Sequence, residues 1–283
     1  MAVKIKSYVL LGALSILLVY IGSLFGNDGM IIAFLIALAM NLISYFLGDK
    51  IVLSMTRAVK VSENQMPELH RIVSEVSVAA GVPKPDIYII PSQSPNAFAT
   101  GRDPSHSSVA FTQGILDLLD ANELKGVIAH EMSHIKNRDI LIATISATIA
   151  SAITMIARMI QFAAMFGGGR DSNRSGNVFS VFAMLVFAIL VPIAAALINL
   201  AISRNREYFA DETGARIINN PFALAGALKK LARGVSSVPM NNANPSTSHL
   251  FIVNPFSSKS FLAIFSTHPP LEERIRRLEN MNF

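Results

Sequence analysis

Two histidines separated by three residues, His130 and His134, are the strongest chemical signal in the sequence, and Glu131 follows the first of them. On a helix, residues four apart lie on one face about 6 Å from each other, so both imidazoles can bind one metal ion. Glu131 projects beside the pair, where it is badly placed as a ligand but well placed to take a proton from a water molecule on the metal. The pattern predicts a metal centre that activates water for hydrolysis.

Two histidines do not complete a catalytic metal site, which needs a third protein ligand and one open position. Glu207 is the best candidate for that ligand, and Asp211 lies one helical turn further along the same face. A carboxylate at Asp211 can accept a hydrogen bond from the second ring nitrogen of a ligand histidine and fix the orientation of the ring. The alternative for Glu207 is a surface glutamate paired with Arg204 or Arg206.

The helix that carries the histidine pair has a clear start, because Asp120 and Glu123 have the spacing of a capping box. Before it, helical spacing of apolar residues is followed by strand-like pieces that predict a small sheet; the helix covers residues 67–80 and the strands 87–90, 97–99 and 109–112. After it, helices are predicted for residues 205–218, 221–231 and 269–278. Residues 234–256 are rich in Asn, Ser and Pro and predict a long flexible loop that can act as a lid.

The composition indicates a membrane protein. Of 283 residues, 52% are hydrophobic and only 15% are charged, and the mean hydropathy of +0.46 is too high for an ordinary soluble domain. Four hydrophobic segments approach the roughly 20 residues that span hydrocarbon, namely 7–25, 30–47, 140–166 and 178–202. Arg158 interrupts the third segment, as a charged residue that could extend to the membrane interface. A cleaved signal peptide is the alternative for the first, but no small-residue cleavage site follows it.

These segments divide the chain into two membrane hairpins, residues 1–48 and 140–202, and two polar parts, residues 49–139 and 203–283. Most Lys and Arg residues near the span ends fall on one side of this arrangement, so the polar parts are predicted to face the cytoplasm. The net charge of +5 follows from this bias, and no clustered basic stripe indicates nucleic acid. The absence of cysteine excludes disulfides and thiolate ligands.

Two further motifs accompany the histidine pair and the Glu207 motif: Pro95-Asn96-Ala97-Phe98-Ala99-Thr100-Gly101 and Ser266-Thr267-His268-Pro269-Pro270. A predicted membrane hairpin separates the histidine pair from the Glu207 motif. The four motifs in this order resemble the gluzincin family of membrane zinc metalloproteases that includes the HtpX-type and CAAX prenyl proteases. The length and the four short spans are more similar to the HtpX type. The resemblance implies a membrane α-helical protein with four transmembrane helices and a mainly helical, zincin-like protease domain with a small β-sheet.

The resemblance also implies one zinc ion (Zn2+) per chain with three protein ligands, His130, His134 and Glu207. Glu131 would be the general base and then the proton donor to the leaving amine. His268 would stabilise the oxyanion, with a helix-capping residue as the alternative. Asn96 and Ala97 would belong to an edge strand that pairs with extended substrate main chain.

The implied function is a membrane-bound zinc endopeptidase of the bacterial cytoplasmic (inner) membrane that cleaves misfolded or unassembled membrane proteins at cytoplasmic segments. Its partners would be polypeptide substrates and the lipid bilayer, while the oligomeric state stays open. Two alternatives remain: specific processing of one membrane or lipid-modified substrate, and a non-catalytic scaffold in which zinc ties the two polar parts together. Glu131 argues against the scaffold, because a structural metal site has no need of a base.

Overall fold

The computed structural model describes residues 26–166, 204–238, 240, 246–255 and 269–282, together with scattered positions between 9 and 23. For residues 156–166 it describes the helix but not the side chains. The predicted fourth span, residues 178–202, and His268 lie outside the described residues.

Helix α1 (Gly26–Phe46) is the clearest membrane element. It has 21 residues, and an 18-residue stretch of it has a mean hydropathy of 2.1, with only 11% of that stretch buried. The described positions before it are helical and contact it, since Asn41 Nδ2 donates to Ser15 Oγ at 2.9 Å. Within the described residues, α1 alone is a single straight helix long and apolar enough to cross a membrane. The four-helix count stays a prediction.

The predicted small sheet is confirmed. Its four strands are β1 (Val59–Lys60), β2 (Asp86–Ile90), β3 (Ala97–Asp103) and β4 (His106–Thr112), in the order β1-β2-β4-β3. β2 and β4 are parallel, whereas β1 with β2 and β3 with β4 are antiparallel. β3 therefore lies at the edge of the sheet, where one side of its main chain is not paired with another strand.

Helices account for most of the remaining described chain. They are α2 (Gly48–Met55), α3 (Pro67–Ala80), α4 (Gln113–Leu118), α5 (Ala121–Asn137), α6 (Asp139–Phe166), α7 (Arg204–Ile218), α8 (Pro221–Ser237) and α9 (Leu271–Glu279). The helices predicted before and after the histidine pair are confirmed, and α8 continues six residues beyond its predicted end.

α5 is the central helix of the protease domain. The predicted capping box starts it, because Asp120 Oδ1 accepts from Glu123 N at 2.9 Å while Glu123 Oε2 accepts from Asp120 N at 3.1 Å. α5 packs against α3, α7, α8 and β3. It ends at Arg138, whose left-handed backbone (φ 63°) turns the chain so that α6 leaves at 89°.

The prediction of a long flexible loop at residues 234–256 is wrong for its described residues. α8 occupies the first of them, and residues 246–253 are all buried, with a short 3-10 turn at Ser248–Leu250. The polar composition of the region hides the apolar run Leu250-Phe251-Ile252-Val253, which packs into the protein. Residues 246–253 are called the covering segment below.

Close contact between α5 and α7 yields a prediction for Gly214. A Cβ at Gly214 would lie 2.9 Å from the backbone nitrogen of His130, so Gly214→Ala should force the two helices apart and lower the free energy of unfolding by about 1–3 kcal/mol. Gly226→Ala is the matched control, because the nearest atom to that Cβ is the end of the Glu123 side chain at 3.3 Å. The control should change the free energy of unfolding by no more than about 1 kcal/mol, because helix propensity favours alanine and the Glu123 side chain can move. Equal unfolding temperatures of the two variants in detergent would contradict the packing argument.

Candidate metal centre

The predicted site residues on α5 and α7 lie together where the two helices face each other: His130, Glu131, His134, Glu207 and Asp211. All are buried except His134, whose side chain is 16% exposed. Helical spacing puts the three α5 residues on the face that meets α7, and Gly214 permits the close approach. The two polar parts of the sequence thus meet at one point.

Three of these side chains form a triangle of donor atoms. The Nε2 atoms of His130 and His134 are 3.2 Å apart, and the Glu207 carboxylate lies 3.6 Å from the Nε2 of His134 and 3.8 Å from the Nε2 of His130. These donor atoms all lie within 4.8 Å of one another. Tetrahedral zinc ligands at about 2.0–2.1 Å from the ion are about 3.3 Å apart, so the triangle fits such an ion after only small movements.

A carboxylate lies behind each histidine ring. The Nδ1 of His130 is 2.9 Å from Asp211 Oδ1, and the Nδ1 of His134 is 3.3 Å from Asp139 Oδ2. An acceptor at Nδ1 keeps the proton there, so each Nε2 retains the lone pair that a metal needs. The sequence predicts the contact of Asp211, whereas Asp139, the first residue of α6, enters as a structural finding.

Arg274 of α9 holds Asp211 in place. It is fully buried, and its Nε and Nη2 donate to the two carboxylate oxygens of Asp211 at 2.8 and 2.7 Å. Burial alone would raise the pKa of Asp211, but the charge and hydrogen bonds of Arg274, and then those of His130, hold that pKa below its usual value. Asp211 therefore remains an acceptor for the His130 ring.

Glu131 is a buried carboxyl group with an unusual acidity. Burial raises its pKa to about 7; Glu207 adds to the rise, while His134 and the backbone amide of Ala99 oppose it. A group with a pKa near 7 can both accept and release a proton at neutral pH. This property suits a base that later acts as an acid.

The charges of the site favour a cation between the two rings. Burial lowers the pKa of His130, which keeps this ring neutral. Burial also acts to lower the pKa of His134, but Asp139, Glu207 and Glu131 together outweigh it and raise that pKa to about 9. The surrounding carboxylates thus attract a proton or a metal ion, and two imidazoles with one carboxylate are a donor set of catalytic zinc sites.

A small cleft lies above the donor triangle. It has a volume of about 40 Å³ and is lined by residues of α5, α6, α7, β3 and the covering segment. Ala99 of β3 lines it, whereas Asn96 and Ala97 are fully buried beside it and bond to the covering segment. The predicted role of Asn96 and Ala97 in substrate binding stays a prediction.

Sequence reasoning misses Asp139 and Arg274 for different reasons. Asp139 is separated from His134 by a helix end, so helical spacing does not connect them. Arg274 does carry a signal, because it shares a helical face with Leu271, Ile275 and Leu278, at a position where an apolar core residue is expected. A charged residue at such a position indicates a buried ion pair.

The chain is similar to several known proteins. Residues 63–282 match peptidase family M48. The chain is 52% identical over 282 residues to a protease HtpX homolog of Syntrophobacter fumaroxidans, covering 99% of this chain and 100% of that protein. It is also 52% identical over 278 residues to a protease HtpX homolog of Pyrococcus furiosus, covering 98% of this chain and 95% of that protein.

A solved structure shares the fold. The crystal structure of S. mikatae Ste24p aligns with a TM-score of 0.51 and 21% sequence identity, covering 98% of this chain and 65% of that chain. At this identity the likeness concerns the fold alone. The family match and the full-length identity to the two relatives show more: the chain belongs to peptidase family M48, as an HtpX-type metalloprotease.

Proposed function

We propose that the protein is a membrane-bound zinc endopeptidase whose metal ligands are His130, His134 and Glu207. The observation that carries the proposal is the position of Glu131, a buried carboxyl group beside the donor triangle with a pKa of about 7. A purely structural metal site needs no such base, so this geometry favours catalysis over the scaffold alternative.

A zinc ion held by the three donors would supply Lewis-acid chemistry to a water molecule and to the scissile carbonyl. Glu131 takes a proton from the attacking water and passes it to the leaving amine. Asp211 and Asp139 keep the two rings oriented, and Arg274 keeps Asp211 ionised. His268 is proposed as the donor to the oxyanion on its sequence motif alone.

The membrane location rests on α1 and α6. Large apolar side chains of α1, such as Ile32 and Leu35, are more than half exposed, which favours lipid over water as their surroundings. α6 starts at the site, where Ile140 and Ala143 line the cleft, and continues for 28 residues. We propose that the cleft lies close to the cytoplasmic surface of a bacterial inner membrane. There the enzyme would cleave polar segments of misfolded or unassembled membrane proteins.

The general-base assignment gives the decisive test. Glu131→Gln should lower kcat on casein, an unstructured protein, by about 10²- to 10⁴-fold, because the amide cannot accept the proton. Zinc bound per chain, measured by metal analysis, should not change. Turnover equal to that of the wild type would eliminate this mechanism.

The third ligand is tested by Glu207→Ala, which should lower both zinc content and activity, because one of three donors is lost. Glu212→Ala is the matched control on the same helix, since Glu212 is exposed and bonds only to Arg216 among the described contacts. The control should keep the zinc content of the wild type. Full zinc in Glu207→Ala would show that another residue is the ligand.

The carboxylates behind the rings are tested by Asp139→Asn and Asp211→Asn. Each should weaken zinc binding by about 10- to 100-fold, because an amide no longer fixes the ring with its proton on Nδ1. Asp117→Asn, at an exposed residue of α4, is the control. Competition with a chelator measures the dissociation constants, and an Asp139→Asn variant with wild-type affinity would reduce Asp139 to a structural role.

A further inference from the structure

The outer edge of β3 is already occupied by the protein itself. Residues of β3 turn their main-chain groups alternately toward β4 and outward. Of the outward groups, the Ala97 carbonyl accepts from Ile252 N at 3.0 Å, and the Gly101 amide donates to Thr144 Oγ1 at 3.2 Å. The Ala99 amide donates to Glu131. A peptide that pairs with β3 near the metal centre meets the covering segment first.

The covering segment contacts β3 and the residue before it, Asn96, through its own main chain. Besides the bond of Ile252 to Ala97, Asn96 Nδ2 donates to the Val253 carbonyl at 2.7 Å, and Val253 N donates to Asn96 Oδ1 at 3.3 Å. These bonds use only main-chain groups of the covering segment, the groups that every polypeptide has. An enzyme that accepts unrelated sequences needs such contacts.

Side chains fix the covering segment in this position. The Phe251 ring packs edge-on against Phe98 with ring centroids 5.3 Å apart, and Phe251 is 1% exposed. Arg274 Nη1 donates to the Ile252 carbonyl at 2.9 Å. Arg274 also bonds to Asp211, which orients the His130 ring. The same guanidinium therefore contacts both the covering segment and the carboxylate behind a proposed metal ligand.

The cleft beneath the covering segment is too small for a substrate. Its volume of about 40 Å³ holds one or a few water molecules, whereas sites for drug-sized ligands measure about 300–1,000 Å³. Residues 249–252 form part of its wall. A polypeptide that pairs with β3 beside Glu131 must displace these residues.

We propose that residues 250–253 occupy the place of an extended substrate on β3, and that substrate binds only after the covering segment leaves this strand. The segment then acts as an intramolecular competitor: the apparent affinity for substrate is reduced to the fraction of molecules in which β3 is open. This inference rests on the proposed function, because it concerns regulation of the same cleft.

A kinetic test uses Phe251→Ala, which removes the largest anchor of the covering segment and no group of the metal site. In the zinc-loaded protein, kcat/KM for casein should rise at least about tenfold, mainly through a lower KM, because the open fraction increases. Phe222→Ala is the matched control, since Phe222 is 64% exposed on α8, and its kinetics should equal those of the wild type. If the wild-type protein cleaves casein but kcat/KM of Phe251→Ala is unchanged or lower, the inference is overturned and the proposed function remains intact.

A second measurement does not depend on how Phe251→Ala folds. The zinc-loaded Glu131→Gln protein is mixed with a synthetic peptide that spans a casein cleavage site, and amide hydrogen exchange is followed. Exchange at Ile252 and Val253 should become faster, because the peptide takes their acceptors on Ala97 and Asn96. If exchange at saturating peptide is equal to or slower than exchange without peptide, the covering segment stays on β3 when the peptide binds and the inference is wrong. Absence of casein cleavage by the wild type would instead reject the proposed function, and the inference with it.

Discussion

The constraint on which the rest of the structure depends is the burial of excess negative charge in one small volume. Four carboxyl groups are buried there: Glu131, Asp139, Glu207 and Asp211. Among the residues that the structure describes, Arg274 and the partly buried Arg206 form ion pairs with these carboxylates, so two negative charges remain in this set when both histidines are neutral. Uncompensated buried charge costs several kcal/mol per ion, so the cluster favours a divalent cation. Without one, Glu131 and His134 bind protons, as their raised pKa values indicate.

The close packing of α5 against α7 and α8 helps to bring short carboxylate side chains next to the histidines. A glycine lies at two of the contacts of α5. Gly214 of α7 packs against the backbone of His130, and Gly126 of α5 packs against α8, where a Cβ on Gly126 would lie 2.6 Å from the backbone nitrogen of Leu224. Asp211 then reaches His130 directly, without an intervening water molecule. The fold thus fixes the distances of the site through backbone contact, which is stiffer than contact between flexible side chains.

The sequence predicts the parts of the site that depend on local spacing. His130 and His134 lie four apart on one helix, and Glu207 and Asp211 lie four apart on another, so their shared faces follow from helical geometry. Three of the four strands are also predicted from local sequence, as short apolar pieces bounded by turns that contain Pro and Gly, whereas the two-residue strand β1 is not predicted.

Contacts between distant parts of the chain are less predictable. Asn96 and Val253 are 157 residues apart, and no local pattern connects them, so the covering segment is mistaken for a mobile loop on its polar composition. The apolar sequence of α6 does not by itself distinguish contact with lipid from contact with the rest of the protein. Ile140, Ile145 and Ile149 are at most 3% exposed in contact with the protein, so an apolar run that predicts lipid contact also serves the protein core.

α6 gives these separate findings a common physical basis. Its first residue, Asp139, supports His134; one turn later, the carbonyl of Ala143 accepts from the His249 ring at 3.3 Å, and Thr144 holds the end of β3. Further along, Thr154 lies 3.2 Å from Ser246, at the start of the covering segment. The apolar segment proposed to enter the membrane is therefore also the surface on which both the metal centre and its cover rest.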